Sequence, residues 1–155
     1  MEIKGNNLND ETVLEIGKFA ILWNYFENEC CSNYCTPAMI KRKAPSIYLD
    51  REKQKKFANV LNERRRWINQ LETDYVRTSL HPRNAKRSSE DDMKMMQMFL
   101  LQIGNDDELV CGCLLIIHRI RNNMMHGLKV IKELNDQIEL FRSANEVLES
   151  IRCRK

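Results

Sequence analysis

From Leu109 to Ile117 the chain runs through nine consecutive uncharged residues, Leu-Val-Cys-Gly-Cys-Leu-Leu-Ile-Ile. That run is about half of the roughly 20 residues a membrane-crossing helix requires, and Gly112 interrupts it, so it predicts no membrane span. A helix apolar on every side must instead be covered by other elements. Those elements must also be helical, because Gly and Pro, at 5 and 3 residues, are too few to break the chain into many short strands. The apolar run is therefore expected to be the buried spine of an all-α bundle, starting from a cap at Asn105 or Asp106 and continuing through Cys113, Ile116 and Ile120.

The remaining apolar residues recur every three or four positions. Asn9 or Asp10 caps a first helix, with Val13, Ile16, Ala20 and Trp23 on one stripe, that runs to about Glu29. Leu14, Phe19, Ile21, Leu22, Tyr25 and Phe26 widen its apolar face until burial on two sides is expected. Residues 30–49, with Pro37 and Pro45, form a connection containing a short helical piece around Ala38 to Lys43. From Asp50 the series Phe57, Val60, Leu61, Arg64, Trp67, Ile68, Leu71 and Tyr75 predicts a second helix of about seven turns. Residues 77–89 lack periodicity and read as a loop. Ser88 or Ser89 then caps a third helix through Met93, Met96 and Leu100, stopped by Gly104. A last helix after Gly127 carries Ile131, Leu134, Ile138, Phe141, Leu148 and Ile151. No segment reads as a strand and no repeat is present. The expectation is one domain over residues 1–155, an antiparallel bundle of about four to five helices.

A net charge of +3 conceals an uneven distribution, with 14 Lys and Arg against 5 Asp and Glu between Lys41 and Arg87. Lys55, Lys56, Arg64, Arg65, Arg66, Arg83, Lys86 and Arg87 are the candidate positions for a nucleic-acid backbone. The opening residues lack the basic and apolar stretches of a secretory signal, which predicts a cytoplasmic protein. In that compartment the six cysteines are expected as free thiols. Their Cys-Cys-x3-Cys and distant Cys-x-Cys spacing does not suit zinc, so no metal or other cofactor is expected. At least one of Cys111 and Cys113 is expected in the core.

The spine ends in His118-Arg119-Ile120-Arg121-Asn122-Asn123-Met124-Met125-His126-Gly127. A guanidinium is costly to bury unpaired, so these side chains must reach a partner, a cleft or an interface. Arginine offers a fixed fork for phosphate oxygens, and an imidazole can give or take a proton near neutral pH. RNA carries its own nucleophile in the 2′-hydroxyl, so a metal-free cut needs only a base, an acid and positive charge on the phosphorane.

Arg121-Asn122-x3-His126-Gly127 resembles the Arg-x4-6-His signature of the HEPN family, in which a polar residue, often Asn, follows the arginine near the junction of the late helices. Ile21-Leu22-Trp23-Asn24-Tyr25-Phe26-Glu27 also looks like the aromatic and acidic opening helix of several HEPN groups. The resemblance implies a HEPN-like bundle and a metal-independent endoribonuclease, of the sort used as a toxin or in defence against foreign genetic elements. It implies a homodimer that joins two motifs, with catalytic Arg121, Asn122 and His126. Arg119 and Glu27 are candidate supporting residues. Each residue also has a plainer role: His126 as a helix cap, the arginines as solvated or salt-bridged side chains, and His118 as a polar edge of the core. The competing functions are a dimer that binds RNA or a nucleotide without cutting, and a helical adaptor for a neutralising or regulatory protein partner.

Overall fold

The computed structural model describes residues 1–63, 86–125 and 133–154. It is an all-α bundle in which α1 (Asp10–Cys30), α2 (Pro37–Lys43), α3 (Arg51–Glu63), α4 (Lys86–Leu101), α5 (Asp106–Met125) and α6 (Ile138–Glu149) enclose one core. No helix among the described residues is long and apolar enough to cross a membrane.

The spine is α5. Asn105 and Glu108 close a reciprocal cap, in which the Glu108 N–H donates to Asn105 Oδ1 at 2.9 Å and the Asn105 N–H to Glu108 Oε1 at 3.0 Å. Asp106, Asp107 and Glu108 place negative charge where the helix dipole favours it. Every residue from Leu109 to Ile117 is buried. Gly112 makes this possible, because a Cβ there would strike the Met95 carbonyl oxygen and come within 2.8 Å of Phe99 Cβ on α4. The two helices touch through bare backbone at that point.

The α4 turn is closed by the Ile103 N–H on the Met98 carbonyl and the Gln102 N–H on the Phe99 carbonyl, both 3.0 Å. Gln102 takes the left-handed backbone at φ 54° that ends such a helix. The helix thus stops before Gly104. It starts at Lys86, so Ser88 and Ser89 lie inside it rather than capping it. Asp92 is buried against Lys41 Nζ at 2.6 Å, which ties α4 to α2. On α3, capped by the Lys53 N–H on Asp50 Oδ1 at 3.0 Å, Phe57 meets Phe99 at 5.9 Å and Asn62 donates to the Leu100 carbonyl at 2.8 Å. The expected continuation of that helix to Tyr75 and most of the 77–89 loop lie outside the described residues.

Several expectations are corrected. The first helix is not buried on two sides: Phe19, Trp23 and Phe26 face the core, while Leu14, Ile21 and Tyr25 stand 58%, 71% and 53% exposed. Two short antiparallel ladders exist, β1 (Glu2–Ile3) with β2 (Asn6–Asn7) and β3 (Ile47–Tyr48) with β4 (Arg152–Cys153). Strands of two residues are too short to leave a period-2 pattern. Leu134 lies before the last helix of the described residues, which starts at Ile138 after a 3-10 turn at Asn135–Gln137, and the expected start after Gly127, with Ile131, lies outside the described residues. The Asn135 amide explains the break, because it accepts from the Asn9 N–H and donates to the Asn7 carbonyl, both at 2.9 Å. Four cysteines are not free: Cys30 pairs with Cys153 and Cys31 with Cys35, leaving Cys111 and Cys113 as buried thiols. The β3–β4 ladder carries Cys153 to the end of α1, a neighbour 123 residues away in sequence.

The Gly112 contact predicts opposite effects for two glycine substitutions. Gly17 is exposed on α1, and a Cβ at that position would meet nothing within 4 Å, so Gly17→Ala should gain about 0.5–1 kcal/mol. Gly112→Ala should lose about 1–3 kcal/mol through overpacking. Urea unfolding of both variants checks this, and a stabilised Gly112→Ala would contradict the close crossing.

Candidate functional site

Beyond Ile117 the spine emerges from the core. Ile120 remains buried, whereas His118, Arg119, Arg121 and Asn122 are half-buried at its edge. The Arg121 guanidinium donates to Asn122 Oδ1 at 3.1 Å, and Asn122 Nδ2 stands 3.5 Å from His118 Nδ1. Holding the fork of Arg121 against its own neighbour limits the directions in which the remaining N–H groups point.

Opposite lies α1. Trp23 packs its ring 5.8 Å from the His118 imidazole, and Glu27 Oε2 accepts the Cys35 N–H at 3.1 Å. Cys35 also makes a backbone hydrogen bond with His118. The turn closed by Cys31–Cys35, where Ser32 and Asn33 take φ of 52° and 83°, therefore packs directly against both groups. Between α1 and α5 opens a cavity of about 230 Å³. Phe19, Ala20 and Trp23 supply its apolar wall, and Asn24, Glu27 and Arg121 its polar groups.

The His118 imidazole is pushed down from 6.5 to about 4. Burial is the largest cause, followed by the positive charges of Arg121 and Arg119; Glu27 and the Cys35 hydrogen bond oppose the shift. His118 is thus neutral at pH 7, a positioning group rather than a cation. Cys111 is pushed up to about 11, chiefly by burial, and burial raises the Cys113 thiol well above its ordinary range, so neither is a ready thiolate.

The structure brings together three of the residues singled out from sequence, Arg121 and Asn122 on α5 and Glu27 on α1. Arg119 adds its charge beside His118. His126, with Gly127, lies outside the described residues, as do Arg64, Arg65, Arg66 and Arg83. Lys86 and Arg87 occupy the first turn of α4. Lys55 and Lys56 are exposed, as expected, but each has a carboxylate: Lys55 meets Glu52 at 3.3 Å and Lys56 meets Glu146 at 2.9 Å. Their charge is partly answered within the chain. Sequence reasoning did not assign Trp23, Phe19 or Cys35 to the site, since their core spacing carries no signal that distinguishes a cavity wall from ordinary packing. His118 was read as a core edge, and it is one.

Compared with known proteins, the chain matches no protein-family model, no curated protein and no solved structure.

The neutral His118 predicts an acid-sensitive fold. Its folded-state value lies below the unfolded one, so its contribution is complete above pH 6.5 and is lost as pH falls from 6.5 towards 4. The loss amounts to about 3 kcal/mol, since each pH unit between the folded and unfolded values is worth roughly 1.4 kcal/mol. Urea unfolding of wild type and His118→Gln across that range should give a stability difference that falls with falling pH. A difference independent of pH would rule out the neutral, buried imidazole.

Proposed function

We propose that this chain is a metal-independent endoribonuclease of HEPN type, acting as a toxin or defence effector. The observation that carries the reading is the Arg121–Asn122 pair, held together at the polar mouth of an otherwise buried helix, beside a cavity that also contains Glu27. Its sequence counterpart is Arg121-Asn122-x3-His126.

In the proposed reaction the RNA 2′-hydroxyl attacks the adjacent phosphorus. One imidazole removes the hydroxyl proton and another protonates the departing 5′-oxygen, leaving a 2′,3′-cyclic phosphate and a 5′-hydroxyl. Arg121 supplies permanent charge to the phosphorane oxygens, the type of interaction that strengthens in a partly water-excluded site. Asn122 steers the guanidinium and the scissile phosphate. One chain contributes a single His126, and acid and base must stand on opposite sides of the phosphate, so a two-fold dimer supplies the second. The exposed Leu14, Ile21 and Tyr25 share one apolar face of α1, turned away from the residues that line the cavity.

The second reading is a dimer that holds RNA or a nucleotide without cutting it, favoured by the mainly apolar wall of the cavity and by the carboxylate partners of Lys55 and Lys56. Purified protein incubated with RNA in EDTA separates the two. The proposal expects fragments ending in 2′,3′-cyclic phosphate, and a loss of cutting of about 10²–10⁴-fold in both Arg121→Ala and His126→Ala with helicity by circular dichroism retained. Bound but intact RNA would support the second reading, and a His126→Ala variant as fast as wild type would remove the catalytic assignment.

A further inference from the structure

We infer that the cavity between α1 and α5 is a nucleobase pocket and that guanine is the base it takes. For the placement of a phosphate on Arg121, the inference rests on the ribonuclease reading above; for the base itself, it rests on the cavity.

The cavity is walled by Phe19, Ala20 and Trp23, and its volume of about 230 Å³ leaves room for a flat heterocycle. A planar π-system against aromatic walls is the commonest way in which an unpaired base is held. The polar groups then discriminate. Glu27 is acceptor-only when ionised, the Cys35 N–H occupies one site on Oε2 at 3.1 Å, and among the described residues the other oxygen has no hydrogen-bond donor. Guanine alone among the RNA bases offers two adjacent donors, N1–H and the N2 amino group, to one carboxylate. Asn24, also on the cavity, carries both a donor and an acceptor and can meet guanine O6, next to N1–H. Uracil and cytosine present one donor group each, and adenine has no donor beside its N6 amino group.

Arg121 borders the same cavity, so a base seated there leaves its own 3′-phosphate within range of the guanidinium. The expected specificity is therefore cutting on the 3′ side of guanosine. Ala20, exposed on α1, is the place to block the pocket without disturbing the core.

Binding of the four nucleoside 3′-monophosphates by isothermal titration calorimetry tests the pocket, and mapping of RNA cut sites tests its use. The expected result is 3′-GMP binding at least about tenfold more tightly than 3′-AMP, 3′-CMP or 3′-UMP, the size of one charge-assisted hydrogen bond. Glu27→Gln retains an oxygen for the Cys35 N–H but should erase most of that preference, and Ala20→Phe should abolish binding of all four while retaining the helical spectrum. Equal binding of all four bases, or 3′-GMP binding unchanged in Ala20→Phe, would overturn the pocket. The two proposals fail separately. A chain that prefers 3′-GMP through Glu27 but leaves RNA intact keeps the pocket and loses the nuclease, whereas one that cuts after every base alike and binds 3′-GMP no better than the others keeps the nuclease and loses the pocket.

Discussion

The arrangement depends on the crossing of α4 over α5 at Gly112, where the absence of a side chain lets the two backbones meet. That approach closes one side of α5, while residues on α1, α2 and α3 join the core around it. A helix covered so completely can carry polar residues only where it leaves the bundle. For α5 that place begins at His118, and the polar groups that follow are consequently concentrated within a turn or so instead of being spread along a surface. The site is a consequence of the burial behind it.

Electrostatics at that edge keep the roles of the groups apart. Burial, and after it the positive charges of Arg121 and Arg119, keep His118 neutral, while Asn122 accepts from the Arg121 guanidinium. Glu27 balances some of this positive charge from α1 while anchoring the Cys35 turn. A guanidinium is a permanent charge, which is what the proposed contact of Arg121 with a phosphate group requires. The buried thiols of Cys111 and Cys113 belong to the core and take no part.

Elements specified by nearby residues could be read from the sequence. Of the caps expected for α5 and α1, Asn105 and Asn9 are the ones used, and α2 falls where a short helical piece around Ala38 to Lys43 is expected, opened by Thr36, whose Oγ1 accepts the Met39 N–H at 3.1 Å. Elements specified at a distance could not. Cys153 meets Cys30 only because β4 pairs with β3, and the break before α6 comes from an Asn135 amide bound to residues at the other end of the chain. Lys55 and Lys56 show the same limit, since a charged helix face looks alike whether or not a carboxylate such as Glu146 lies across from it. At the site, Arg121, Asn122 and Glu27 stood out as polar groups at the end of an apolar helix or in a motif. The cavity did not, because Phe19 and Trp23 have the spacing of any core stripe.

The central claim is that two copies of the Arg121–Asn122–His126 segment build one catalytic centre, and subunit mixing tests it most directly. Wild-type protein would be exchanged with increasing proportions of His126→Ala, and RNA cutting measured against the wild-type fraction at constant total protein. A centre that needs both subunits predicts activity falling as the square of that fraction, to about one quarter in an equal mixture. A linear decline, to about one half at the same point, would mean that each chain acts alone and would contradict the account.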